Sequence, residues 1–257
     1  MDTHREVLAG LLLVLAMTAI LNVPASAIKL PPYVTACSRS DPKLNECVLQ
    51  NGRNAIPIVI KGDPKYRVPK LNPMVIPELQ LQQGTGSVGL NITWKNAEIH
   101  GIKDTEFLDV DMNVEKRHIK MHFFLPKVSI TGAYTATGRV LLLPVTGSGP
   151  SNITVENMKI SYDIDWNLVK KANGKEYLDV TNPMLTLLDL GHLSMKFERI
   201  FNGDKLLGDN LNTFLNENWK DLAKEFGPGV ADAIGQVFGL VLKNICDLVP
   251  YDNVLKP

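Results

Sequence analysis

Neither sign of charge predominates in this sequence, where 27 Lys and Arg stand against 27 Asp and Glu. The balance removes the clustered basic footprint by which a protein captures nucleic acid or an anionic membrane, so neither is expected as a partner. Aromatic residues are scarce at 7%, but hydrophobic residues reach 45%, which excludes a disordered or collagen-like chain. Catalytic and metal signatures are missing as well. There is no G-x-S-x-G elbow, H-E-x-x-H or paired-Cys zinc motif. His118 and His122 lie four apart in a stretch of period two, where they share the polar face of a strand with no third ligand nearby. Gly84-Thr85-Gly86-Ser87-Val88-Gly89 satisfies G-x-G-x-x-G, yet a dinucleotide fold needs a helix to open from it. A strand follows instead, so the segment reads as a turn. Asp163 and Asp165 fall on the outward phase of a strand and read as solvated acids. No enzyme, metal or cofactor is expected, and no internal repeat or low-complexity linker marks a second domain.

Long apolar runs are confined to the start of the chain. Val7 to Leu21 carries no charge and gives way to Pro24 and then to Ala25-Ser26-Ala27, small residues of the kind a signal peptidase reads. The run is shorter than the roughly 20 residues of a membrane span. It predicts a signal peptide over 1–27, removed to leave one domain over 28–257. Nothing after Leu21 reads as long and apolar enough to cross a bilayer, so a secreted, extracellular protein without stable membrane insertion is expected. Secretion sets the reading of the three cysteines: Cys37 and Cys47 should pair in an oxidising compartment, and Cys246, in an apolar helical run, should be a buried, inert thiol. Sequons at Asn91 and Asn152 are candidate glycosylation sites, with Asn91 on the polar face of a clear alternation.

Periodicity divides the remainder. Asp41-Pro42 predicts the start of a helix that Pro57 kinks or ends, followed by a proline-rich stretch that is extended rather than helical. From Ser87 the period becomes two. Val88 to Trp94, Leu108 to Val114 (with Leu108, Val110 and Met112 inward) and Ile119 to Leu125 predict separate strands. After Pro126 a long strand carries Val128, Ile130, Tyr134, Val140 and Leu142 on one phase. Thr146 to Pro150 reads as a turn, and a bulge near Glu156 and Asn157 accounts for the phase change between Val155 and Met158. A hairpin near Asn173-Gly174 leads to a strand ending near Phe197. The chain then becomes helical: Asp204 is an N-cap, Leu207, Leu211, Phe214, Leu215, Leu222 and Phe226 form one stripe, and Gly227-Pro228-Gly229 separates a second helix from the first. The expected fold is α+β, a highly curved antiparallel sheet wrapped around a long C-terminal helix.

The segments IPELQLQQGTGSVGLNITWKNAEIHGI, ITGAYTATGRVLLLPVTGSG and FERIFNGDKLLGDNLNTFLNENWKDL, with the Cys37/Cys47 pair, resemble the insect juvenile-hormone-binding and takeout-like family. The resemblance implies an elongated α/β-wrap with an apolar internal tunnel for a hydrophobic ligand, and carriers rather than enzymes. Inward-phase side chains would line that tunnel: Trp94, Phe123, Val128, Ile130, Tyr134 and Val140 from the sheet, and Phe214, Val237, Phe238 and Val241 from the helices. A buried Tyr134 hydroxyl needs a partner, either a ligand oxygen or another part of the protein. The leading reading is a secreted carrier, expected as a monomer, of a terpenoid, fatty acid or related lipid. The alternative is an extracellular signalling or interaction protein that acts through its outer surface on an unknown receptor, with lipid as filler.

Overall fold

Residues 28–83, 88–140 and 143–257 are described in a computed structural model. The expected signal peptide, the first four residues of the G-x-G-x-x-G segment, and Leu142 lie outside them. Six antiparallel strands form the main sheet: β2 (Met74–Gln83), β3 (Val88–His100), β4 (Glu106–Asn113), β5 (His118–Val140), β6 (Leu143–Lys170) and β7 (Glu176–Phe197). Their order is β2-β3-β5-β6-β7, and β4 pairs with the first part of the β5 edge that β3 occupies further on.

The longest strands run through residues that would ordinarily stop them. β5 is continuous across Pro126, which corrects the expectation of two strands there. On one side Pro126 falls between the end of the β4 pairing at Phe124 and the start of the β3 pairing at Ser129, where no ladder requires its missing N–H. On the other side it faces Asn157, whose φ of 53° marks a local kink in β6. The pairing with β5 and β7 runs through it unbroken, so the bulge expected near Glu156 and Asn157 is not there and the nearest register shift falls at Lys159/Ile160. β6 also absorbs the Thr146–Pro150 segment, which is strand and not turn. Its glycines serve close approach: a Cβ on Gly147 would lie 2.6 Å from Ile200 Cα, and one on Gly149 would lie 2.4 Å from the Glu198 carbonyl oxygen. In β4 a register shift between Phe107 and Asp109 turns Phe107 inward and leaves Leu108 37% exposed, contrary to the simple alternation.

Helix α1 (Leu44–Val59) begins two residues later than Asp41-Pro42 suggests, because Asp41 Oδ1 accepts from the Lys43 N–H at 2.8 Å in a turn before the helix. Pro57 lies inside its last turn. A 3-10 turn at Pro64–Tyr66 interrupts the stretch expected to be extended. Near the C-terminus, α2 (Lys205–Glu217) starts at Asp204, whose carboxylate accepts from the Leu207 N–H at 3.0 Å as expected of an N-cap. Leu207 itself is 38% exposed and does not belong to the inward stripe. The break between helices falls at Asn218, and α3 runs from Trp219 to Leu248 straight through Gly227-Pro228-Gly229. Packing overrides the local breaker. α3 lies along β7 and also touches β2, the two end strands of the sheet order, so the sheet curls around it. One uninterrupted helix also makes this segment long and apolar enough, by length and composition, to cross a membrane, contrary to the reading from sequence.

Two devices finish the edges. Asn212 and Asn216 on α2 reach the free edge of β7, where each both accepts from a backbone N–H and donates to the carbonyl of the same residue, Phe197 and Met195 respectively. At the far end, β1 (Cys37–Ser38) pairs in parallel with β8 (Leu255–Lys256), and Arg39 donates to Asp252 and Leu255 while stacking over Tyr251. The short helix α4 (Tyr251–Val254) precedes β8, and a disulfide joins Cys37 to Cys47.

Candidate functional site: two apolar cavities beneath the long helix

The curl of the sheet around α3 leaves space in its interior. One cavity of about 160 Å³ lies beneath the first half of α3, lined by β2 and β3 (Leu79, Trp94), by β6 and by β7 (Leu187, Met195), and closed by Phe226 and Val230. A second, of about 300 Å³, lies further along the helix, between α1 (Ile56, Val59), β4 and β5 (Phe107, Phe123) and the second half of α3 (Phe238, Val241). Among the described residues no charged side chain lines either one.

The few polar groups nearby are already committed. Trp94 donates its indole N–H to Ser151 Oγ at 2.8 Å, and Ser151 donates onward to the Gly132 carbonyl, so the ring presents only its apolar surface. Thr105 and Tyr162 line the larger cavity; the first donates to the Ile102 carbonyl at 2.7 Å and the second to the Gly235 carbonyl at 3.0 Å. Burial pushes the Tyr162 phenol well above its ordinary pKa and keeps it neutral. Such an interior rewards hydrocarbon and gives a buried carboxylate no partner, which would leave a charge in an apolar medium.

The expected lining residues divide. Trp94 and Ile130 reach the smaller cavity, and Phe123, Phe238 and Val241 the larger. Val128 and Val140 are solid core, while Phe214 and Val237 pack half-buried against that core, and none of the four lines either cavity. Tyr134 is corrected most clearly. Its hydroxyl donates to the Glu198 carbonyl at 2.9 Å, its ring meets Phe197 edge-on at 5.0 Å, and burial raises its pKa to about 12. Of the two partners left open for this hydroxyl, the 198–200 segment that crosses β6 supplies the one within the protein. Sequence reasoning missed the β7 face, where Leu185, Leu187, Leu190, Leu193 and Met195 all line the smaller cavity. Alternation is legible at 185/187 and 193/195, and one register shift, between Leu187 and Asp189, falls between them.

The sequence signature described as haemolymph juvenile hormone binding protein matches residues 11–256, nearly the whole chain. The chain belongs to that family. It is similar to the circadian clock-controlled protein daywake of Drosophila melanogaster, 23% identical over 87% of each chain, and to daywake of Drosophila yakuba, 22% identical over 83% of this chain and 85% of that one. Takeout 1 of Epiphyas postvittana, a crystal structure, superposes with a TM-score of 0.76 at 27% identity, covering 87% of this chain and all of the other. The curved sheet around a long C-terminal helix is therefore the fold of this juvenile-hormone-binding and takeout-like group, whose members bind hydrophobic ligands. Cys37 and Cys47 form the expected disulfide.

Proposed function

We propose that this chain is a secreted, non-enzymatic carrier that holds a long hydrophobic small molecule, such as a terpenoid, a fatty acid or a related lipid, in its interior. One observation carries the reading: two cavities under α3 whose walls are apolar and whose neighbouring hydroxyls and indole N–H are already hydrogen-bonded within the protein. Each methylene buried there contributes about 0.8 kcal/mol before the costs of ordering the ligand. The sequence at 1–27 supports export with cleavage after Ala27, leaving one domain over 28–257. The Cys37–Cys47 disulfide fits an oxidising compartment. Asn91 and Asn152 are both exposed, as glycan attachment on that route requires. The carrier acts as a monomer without inserting in a membrane, because the apolar stripe of α3 is already laid into the sheet.

Organic extraction of the purified protein followed by mass spectrometry tests this. The expected result is a bound lipid that the stripped protein takes up again reversibly. A stripped protein that folds normally and takes up no terpenoid or fatty acid would contradict it.

A further inference from the structure

We infer that Ile160 and Leu185 form an internal partition that limits how long a ligand the protein can hold. The inference rests on the carrier reading above and narrows it to a length class. Among the described residues, Ile160 of β6 and Leu185 of β7 are the two side chains that line both cavities. Leu185 also packs against both of the hydrophobic clusters into which the interior divides. They therefore stand between the chambers.

The partition is braced on three sides. Leu185 pairs in register with Tyr162 on β6, and Tyr162 donates across the interior to the Gly235 carbonyl of α3 at 3.0 Å. At Gly235 α3 lies close against β7: a Cβ there would lie 3.0 Å from Leu185 Cβ and 3.2 Å from its backbone nitrogen. β6, β7 and α3 are thus drawn together at a single level. Ile160 pairs with Leu187 just past a register shift in the β6–β7 pairing, and it continues the phase of Met158 and Tyr162, which keeps its side chain on the inner face that Leu185 shares. Spreading the walls to pass a chain would break a buried hydrogen bond, which proteins resist.

Chamber size gives the partition its consequence. About 160 Å³ compares with an engineered apolar cavity of roughly 150 Å³ that takes one benzene, and about 300 Å³ sits at the lower end of ordinary ligand pockets. A short apolar chain fits the larger chamber with the partition in place. A longer one must displace Ile160 and Leu185 or leave its end outside.

Equilibrium titration of the stripped protein with saturated fatty acids of 8 to 20 carbons reads this directly. Affinity is expected to rise about fourfold per methylene and then level off at an intermediate length. In Leu185→Ala, and further in Ile160→Ala/Leu185→Ala, the plateau is expected to move to longer chains, while Leu185→Met, which conserves volume, leaves it in place. Should the alanine variants fail to fold, Ile160→Val and Tyr162→Phe are expected to give the same shift on a smaller scale. A wild-type affinity that climbs without a break, or a plateau that stays put in folded alanine or Tyr162→Phe variants, overturns the partition while leaving the carrier standing. Failure of the folded wild type to bind any of the acids, or the uncharged primary alcohols of the same lengths, overturns the carrier reading, and the partition falls with it.

Discussion

Asn216 treats Met195 as one β-strand treats another, accepting its N–H at 2.8 Å and donating to its carbonyl at 2.7 Å, although Asn216 belongs to a helix. Four residues earlier, Asn212 repeats the exchange with Phe197 at 2.8 and 2.9 Å. The helical spacing of four matches the strand spacing of two, so one face of α2 serves as a polar mimic of a neighbouring strand. An exposed sheet edge invites pairing with other chains, and this one is closed at Met195 and Phe197.

Replacing Asn216 with Ala leaves both backbone groups of Met195 without their partner. A loss of about 1–3 kcal/mol in urea unfolding is expected. Asn216→Asp, which keeps the acceptor and loses the donor, should fall between. A variant as stable as the wild type would mean that water replaces the amide without cost.

Tyr134→Phe removes a hydroxyl that donates to the Glu198 carbonyl. Stability should fall by about 0.5–1.5 kcal/mol, with the affinity for any apolar ligand unchanged. Calorimetric titration beside thermal unfolding separates the two. A loss of affinity at unchanged stability would return Tyr134 to the binding site.

Cys246 is free and half-buried as a residue, and the packing around its thiol pushes that group up to about 12. In the unfolded chain the thiol ionises near its ordinary value of about 8.5, so between that pH and 12 the folded state holds the proton more tightly. Stability therefore falls as pH rises through this window. Urea midpoints measured from pH 7 to 10.5 should decline for the wild type and decline less for Cys246→Ala. Parallel curves would show that the thiol is not enclosed.

The Cys37–Cys47 disulfide closes a short loop beside the clasp of β1 and β8. Cys37→Ser/Cys47→Ser should lower stability by about 2–3 kcal/mol in the chain-entropy view. Proteolysis beginning at both termini, followed by mass spectrometry, should show the ends released first.

Much of this fold could be read from local pattern, because inward phase and helical spacing report directly which face is buried. Ile92 and Trp94, Ile119 and Leu125, and the cap at Asp204 are legible in that way. The failures share one cause. Pro126, Gly147, Gly149 and Pro228 carry local signals for turns and breaks, and each is overruled by a distant segment: a gap between β4 and β3, the crossing of 198–200, or the grip of β7 on α3. Tyr134 fails for the same reason, since its partner lies 64 residues away in sequence. The split of the interior into two chambers depends on where β6, β7 and α3 meet, and no single stretch of sequence contains that.

Trp94 offers the most direct test of the central claim, because its ring lines the smaller cavity and is almost wholly buried. In Trp166→Phe/Trp219→Phe, Trp94 is the tryptophan that remains of three. Fluorescence of this variant, its folding verified by thermal unfolding, should be quenched saturably when the stripped protein is titrated with a brominated long-chain lipid. It should recover when an unbrominated analogue displaces that lipid. Emission that stays constant through saturating lipid, with no lipid recovered from the protein by organic extraction, would contradict an interior binding site.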